Sequence, residues 1–136
     1  MNTAESAQAN EALEAMIAEN IIANMGVINL DASDVRGLKE CSDFIDGTTA
    51  DGKLDQLGEL ASSAISKMKD AHPGSRLVSL LLKIRVADGT EFLMEHIAPI
   101  QEVFERLDEN VNVKWGIEIN APVPDEFRVC VVCGFK

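Results

Sequence analysis

Apolar residues fall on the chain in two rhythms. Within Glu5–Asn24 the positions Leu13, Met16, Ile17 and Ile21 recur at spacings of three and four, which predicts a helix with one buried stripe. Gly26 is placed to end it. Asp31 is positioned as the N-cap of a brief helix running from Ala32 to about Gly37. Leu54, Leu57, Ala61, Ala64, Ile65 and Met68 predict a second amphipathic helix, broken at His72-Pro73-Gly74. Leu93, Ile97, Ile100, Phe104 and Leu107 mark a third, with Pro99 inside the pattern, so this helix is expected to start late or kink.

The other rhythm is that of strands. Leu77–Val86 is nearly continuous Leu, Ile and Val, as in a strand buried on both faces. Val111, Val113, Trp115, Ile117 and Ile119 alternate with polar residues, predicting a half-buried strand with Trp115 on its buried face. Phe127–Cys133 reads as the last strand and Lys39–Ile45 as another. Between them, Asp46–Lys53 carries two Asp-Gly pairs and reads as a turn-rich loop. It superficially resembles a calcium loop, but Gly52 is misplaced for an EF-hand and the closing Glu is absent. Strands joined through helices favour parallel pairing, and the last two, joined by a short loop, are expected to pair antiparallel. The expected fold is α+β: one mixed four-stranded sheet packed with two to three helices and preceded by a long N-terminal helix. Residues 1–25 are read as that helix and 26–136 as the domain.

Charge and cysteine usage narrow the function. The 136 residues carry a formal net charge of −11, which disfavours nucleic acid and anionic membranes as partners and suits a soluble cytoplasmic protein. No apolar run approaches a bilayer-spanning length, and Met1–Ala12 is polar and acidic, so neither a signal nor a transit peptide is expected. Aromatic residues are scarce, so the core must be aliphatic. Cys130 and Cys133 spell C-x-x-C, but residues three apart on a strand face opposite ways, so two packed hydrophobes are expected rather than a zinc or redox pair.

Candidate chemistry is sparse. Neither His72 nor His96 has a spaced metal or triad partner in the sequence, and both are expected at the surface. No glycine-rich phosphate loop or nucleophile motif is present, so no complete active site and no cofactor bound by this chain alone are expected. One segment stands out, Gly26-Val27-Ile28-Asn29-Leu30-Asp31-Ala32-Ser33-Asp34-Val35. It sets Asn29, Asp31 and Asp34 on a loop and the first turn of a helix, with the two acids able to share a face. Taken alone, helix capping explains these acids, since carboxylates offset the dipole at a helix N-terminus.

This segment resembles the synergy loop of FtsZ, the bacterial tubulin-like cell-division GTPase, whose pattern is Gly-Leu-Ile-Asn-Val-Asp-Phe-Ala-Asp-Val. The run Asn112-Val113-Lys114-Trp115-Gly116-Ile117-Glu118-Ile119 is similar to that family's Asn-Ile-Ile-Trp-Gly-Ala segment. Glu126–Val131 with Gly134-Phe135 is similar to its Ile-Arg-Val-Thr-Val strand and following Gly-Phe. The resemblance covers roughly residues 10–135. The sequence departs from the pattern at Ala32, where the family has Phe, and at Ser33, where it has Ala. Spacing near Asn10 is shorter than the family's, so no guanine contact is carried over there. The family's GTPase half, its linker and its tail peptide have no counterpart in these residues.

The resemblance implies an FtsZ-like C-terminal domain with its central helix, acting in polymer assembly for cell division at the septum. Its partner would be an FtsZ-type GTPase domain or an adjacent subunit, homo-oligomers included, with no nucleic acid and no direct membrane contact. GTP, with Mg, would sit on that partner. Asp31 and Asp34 would then act catalytically in trans, orienting the attacking water, with Asn29 shaping the loop or contacting the nucleotide. Two other classes stay open: a stand-alone FtsZ-related regulator, capping or structural protein without a GTPase role, and a small-molecule-binding domain on a four-stranded sheet.

Overall fold

A computed structural model describes residues 11–22 and 30–136. Helix α1 (Glu11–Ile17) continues as a π-helical turn, Ala18–Ile22. It is followed by α2 (Ala32–Glu40), β1 (Phe44–Gly52), a 3-10 turn (Leu54–Gln56) and α3 (Leu57–Ala71). Then come β2 (Leu77–Ala87), a 3-10 turn (Met94–His96), α4 (Ala98–Glu105), β3 (Asn112–Ala121) and β4 (Phe127–Phe135). The late start expected of the third amphipathic helix is observed, and its proline occupies the first turn, where a missing N–H costs nothing. The predicted end of the first helix at Gly26, its start before Glu11 and the boundary between residues 25 and 26 lie outside the described residues. Among the described residues no helix is long and apolar enough to cross a membrane.

The sheet is mixed and four-stranded, in the order β1-β4-β2-β3. β2 pairs parallel with β3, the crossover running through α4, as helix-joined strands should. β4 is antiparallel to both β1 and β2. The last two strands are therefore not neighbours, contrary to the reading from their short connection. β2 is the most continuously apolar strand, and burial on both faces draws it to the centre. The connection from Ala121 to Phe127 passes across its end, where these residues align with Ala87 and Val86.

Two further expectations are corrected between residues 39 and 53. Lys39 and Glu40 end α2, so the expected Lys39–Ile45 strand does not form as such. The stretch read as a turn-rich loop is most of β1, paired with β4 along its whole length. Its glycines serve close packing rather than turning. A Cβ on Gly47 would lie 2.6 Å from the Val131 carbonyl oxygen and 3.0 Å from Met16 Cε, so Gly47 lets α1 approach the sheet.

Each face of the sheet has its own core. On one side α3 and α4 pack over Leu80, Leu82, Ile84 and Val86 of β2 and over Phe127, Val129, Val131, Cys133 and Phe135 of β4. On the other, α1 (Leu13, Ile17) and its π turn (Ile21) join α2 (Val35, Leu38) over Leu81, Cys130, Val132 and Ile45. Cys130 and Cys133 thus face opposite ways, as strand geometry requires, and burial pushes both thiols up to about 12. Trp115 is only half-buried, at the rim of the first core, because β3 ends the sheet.

Candidate functional site

The acids singled out in the sequence meet at the start of α2. Asp31 sits in extended backbone and Asp34 three residues on, at opposite ends of a reciprocal capping box. Asp31 Oδ1 accepts from the Ser33 amide at 2.9 Å and from the Asp34 amide at 3.2 Å. Asp34 Oδ2 in return accepts from the Asp31 amide at 2.9 Å. The Ser33 hydroxyl also donates to Asp31 Oδ1. That hydroxyl above all, and the Asp34 amide next, hold the Asp31 carboxyl below its ordinary range.

The two carboxylates are not equivalent. Asp34 is half-buried, and both its oxygens are engaged, the second by Lys114 Nζ of β3 at 3.0 Å. Asp31 is exposed, and among the described residues every hydrogen bond to its carboxylate falls on Oδ1. Oδ2 is therefore the oxygen available to an external water or group. Lys114 was not anticipated as a partner, since it lies 80 positions away. Asn29 lies outside the described residues.

A helix start of this kind usually seats an anion. Here the Ser33 and Asp34 amides are already taken by the chain's own carboxylate. The turn offers negative charge and a basic oxygen, which can polarise water or approach a cation but cannot cradle phosphate.

A second polar cluster is buried beneath the end of α1. Lys83, Arg85 and Glu118 project from adjacent strands onto the face that α1 covers. Arg85 Nε donates to Glu118 Oε1 at 2.9 Å, and Lys83 Nζ lies 3.6 Å from the same oxygen. Arg85 Nη1 donates to Asn20 Oδ1 at 2.7 Å and Lys83 Nζ to the Ile21 carbonyl at 3.2 Å, so sheet cations hold the π turn. Asn20 Nδ2 completes the arrangement by donating to the Met16 carbonyl at 3.1 Å. Burial pulls the Lys83 ammonium below its ordinary range, with Glu118 opposing that shift. The sequence did carry a signal for this cluster: two cations at alternate positions of an otherwise apolar strand.

Both histidines are half-buried rather than at the surface, and one has an acid partner. His72 is half-buried against Phe44 and Phe135, and its Nε2 lies 2.9 Å from Asp46 Oδ2, an acid partner the sequence spacing did not reveal. His96 Nδ1 accepts from the Leu93 amide. Among the described residues no three metal-ligating side chains converge. A cleft of about 500 Å³ between α3 and α4 is lined by Ser62, Ser63, Ser66, Glu59, Glu102 and Arg106. It lies across the sheet from the acidic turn and holds no partnered nucleophile.

No protein-family model matches the sequence, and no curated protein matches it significantly. Solved structures match the fold. An FtsZ mutant from M. jannaschii aligns with a TM-score of 0.55 at 20% identity, over 90% of this chain and 36% of that one. GDP-form protofilaments of TubZ from Bacillus thuringiensis serovar israelensis align at 0.57 and 17%, over 84% and 33%. An FtsZ dimer from M. jannaschii aligns at 0.52 and 20%, over 84% and 33%. This chain thus spans about a third of each of these structures. The fold is that of the FtsZ and tubulin C-terminal domain.

Proposed function

We propose that this chain is the assembly domain of an FtsZ-like polymer and supplies Asp31 and Asp34 in trans to the GTP site of a neighbouring subunit, in the service of cell division. The observation that carries the reading is positional. In a domain of this fold, an exposed carboxylate with a free oxygen stands at the first turn of the helix that follows α1. Hydrolysis of a phosphoanhydride needs a water oriented beside the phosphate and little more from the protein. Asp31 is the group suited to orient that water. Asp34 serves it by fixing the Asp31 amide and anchoring the turn to β3 through Lys114. GTP and its Mg belong to the neighbour in this reading, and Asn29 shapes the approach.

The test is a graft. Fused to the GTPase half of an FtsZ, the domain should support assembly-dependent GTP hydrolysis, and Asp31→Asn should abolish it with the fold retained. Asp34→Asn should lower turnover too, because it loosens the turn. Hydrolysis indifferent to both substitutions would sink the proposal. The isolated chain should bind no GTP by calorimetry. A second reading, a related regulator or structural protein without a GTPase role, draws on the engagement of both Asp34 oxygens, which makes the acids sufficient as a capped helix start. It predicts a graft that assembles without hydrolysing.

A further inference from the structure

We infer that the apolar groove between β3 and the turn before α4 is a docking site for a basic amphipathic helix of another protein. Trp115, Ile117 and Ile119 of β3 form one wall and Phe92, Met94 and Ile97 the other, around an open volume of about 460 Å³. Among the described residues the exposed large apolar side chains are Met94 at 81%, Ile119 at 47% and Leu93 at 42%. All three belong to the two segments that wall this groove. Single exposed apolar residues mean little, but a patch that gathers them in one place marks an interaction site.

The groove is open because β3 ends the sheet and the chain from β2 to α4 crosses beside it as turns, not as a covering helix. Its two walls differ in stiffness. Ile117 is buried and Trp115 half-buried on a paired strand, so that wall is fixed. Met94 is unbranched and almost wholly in water, so it can repack around an occupant. Side chains line the groove, so an occupant must bring side chains rather than a backbone edge. A helix with apolar residues at i, i+3 or i+4, and i+7 does so.

The charge beside the groove selects the partner. Residues 88–98 carry Asp88, Glu91 and Glu95, all exposed, and no Lys or Arg. Among the described residues none of these three carboxylates is in an ion pair. His96 turns its Nδ1 back to the Leu93 amide and lies against the Phe92 ring. β3 adds no charge to this wall, because Lys114 and Glu118 leave by the other face toward Asp34 and Arg85. The uncompensated charge at the rim is therefore negative, and Lys or Arg flanking an apolar stripe complements it. A second copy would set acids against acids at a net charge of −11 each, and an anionic bilayer would be repelled in the same way. The groove lies across β3 from the acidic turn, so this inference stands apart from the role of Asp31.

Trp115 is the chain's single tryptophan and lines the groove, so its fluorescence reports an occupant. The probe is an amphipathic helical peptide of leucine and lysine, titrated into the full chain. The controls are the same peptide with glutamate for lysine and a scrambled leucine–lysine peptide without an apolar face. A saturable change in Trp115 emission is expected with the probe alone, weakening as salt is added. Met94→Ser and Ile119→Ser should each raise the dissociation constant on the order of tenfold, the worth of one apolar side chain withdrawn from water. Both side chains are exposed, so the fold should survive, which circular dichroism checks. Glu91→Gln combined with Glu95→Gln should weaken binding and flatten its salt dependence. Absence of binding overturns the inference, as does equal binding of either control or indifference to Met94→Ser and Ile119→Ser. So does a dimer in analytical ultracentrifugation that Ile119→Ser dissolves, or a Trp115 blue shift on vesicles of phosphatidylcholine and phosphatidylglycerol.

Discussion

Glu118→Ala is the sharpest test of how α1 is held. Among the described residues Glu118 is the one carboxylate of the buried cluster, accepting from Arg85 at 2.9 Å and lying 3.6 Å from Lys83. Lys83 and Arg85 are 1% and 3% exposed, so neither can turn to water when the acid is lost. Breaking a buried pair leaves uncompensated charge and costs about 3–5 kcal/mol, and two cations sharing one acid place this site at the upper end. Lys83→Met removes a charge along with its donor to the Ile21 carbonyl, while Arg85 keeps Glu118 paired. The bond left unmade at the buried Ile21 carbonyl should cost about 1–3 kcal/mol. Urea unfolding of both variants and of the double variant measures the difference. In the double variant the excess cost of Glu118→Ala should shrink, because one stranded cation is gone. A Glu118→Ala loss under about 1 kcal/mol would refute the reasoning, since it would mean water reaches the cluster.

Other outcomes follow from the same geometry. In the folded chain only Cys41 should react with a thiol reagent at neutral pH, with Cys130 and Cys133 appearing in urea, because burial raises their thiols to about 12. Gly47→Ala should cost about 1–3 kcal/mol in a thermal or urea melt, because the new methyl collides with the Val131 carbonyl and Met16. Asp31 is held below its ordinary value of 3.8, so its stabilising effect is present above that pH and lost as pH falls through the folded value. The stability gap between the natural chain and Asp31→Asn should therefore close on acidification, and a gap that widens would contradict the cap.

The sequence carried the elements whose period is unambiguous. α3, the apolar β2 and the late start of α4 were legible because their patterns run long enough to average out single exceptions. β1 was not, because Gly47 and Gly52 look like turn glycines until the helices pressed against them are seen. The order of the sheet was likewise hidden, since the short 122–126 connection suggested a hairpin and only burial of β2 on both faces decides otherwise. At the candidate site, the Asp31 cap was legible from spacing, as was the pairing of the two acids. Lys114 and the asymmetry it imposes were not, because it comes from another strand. The charged cluster lay in plain view as Lys83, Arg85 and Glu118 but had no meaning until β2 and β3 were known to be neighbours.

That neighbourhood joins the two polar sites. The π turn of α1 is held at Asn20 and Ile21 by Arg85 and Lys83 of β2, which Glu118 of β3 steadies. The acidic turn of α2 is held at Asp34 by Lys114, also of β3. Lys114 and Glu118 are four residues apart on one strand, hence on one face of it, so the end of α1 and the start of α2 are fastened to a common rigid surface. Any motion that slides the end of α1 along the sheet must break the buried bonds of Arg85 to Asn20 and of Lys83 to the Ile21 carbonyl, together with the Lys39–Glu14 ion pair to α2. The acids are anchored to the sheet through Lys114, while the body of α2 meets α1 at the Lys39–Glu14 pair and in their shared core. Substitutions in the cluster should free α1 without displacing the acidic turn, whereas Lys114→Ala should loosen the turn and leave α1 seated. Amide hydrogen exchange resolved along the chain distinguishes the two. Increased exchange at both sites after either change would show that they move as one body.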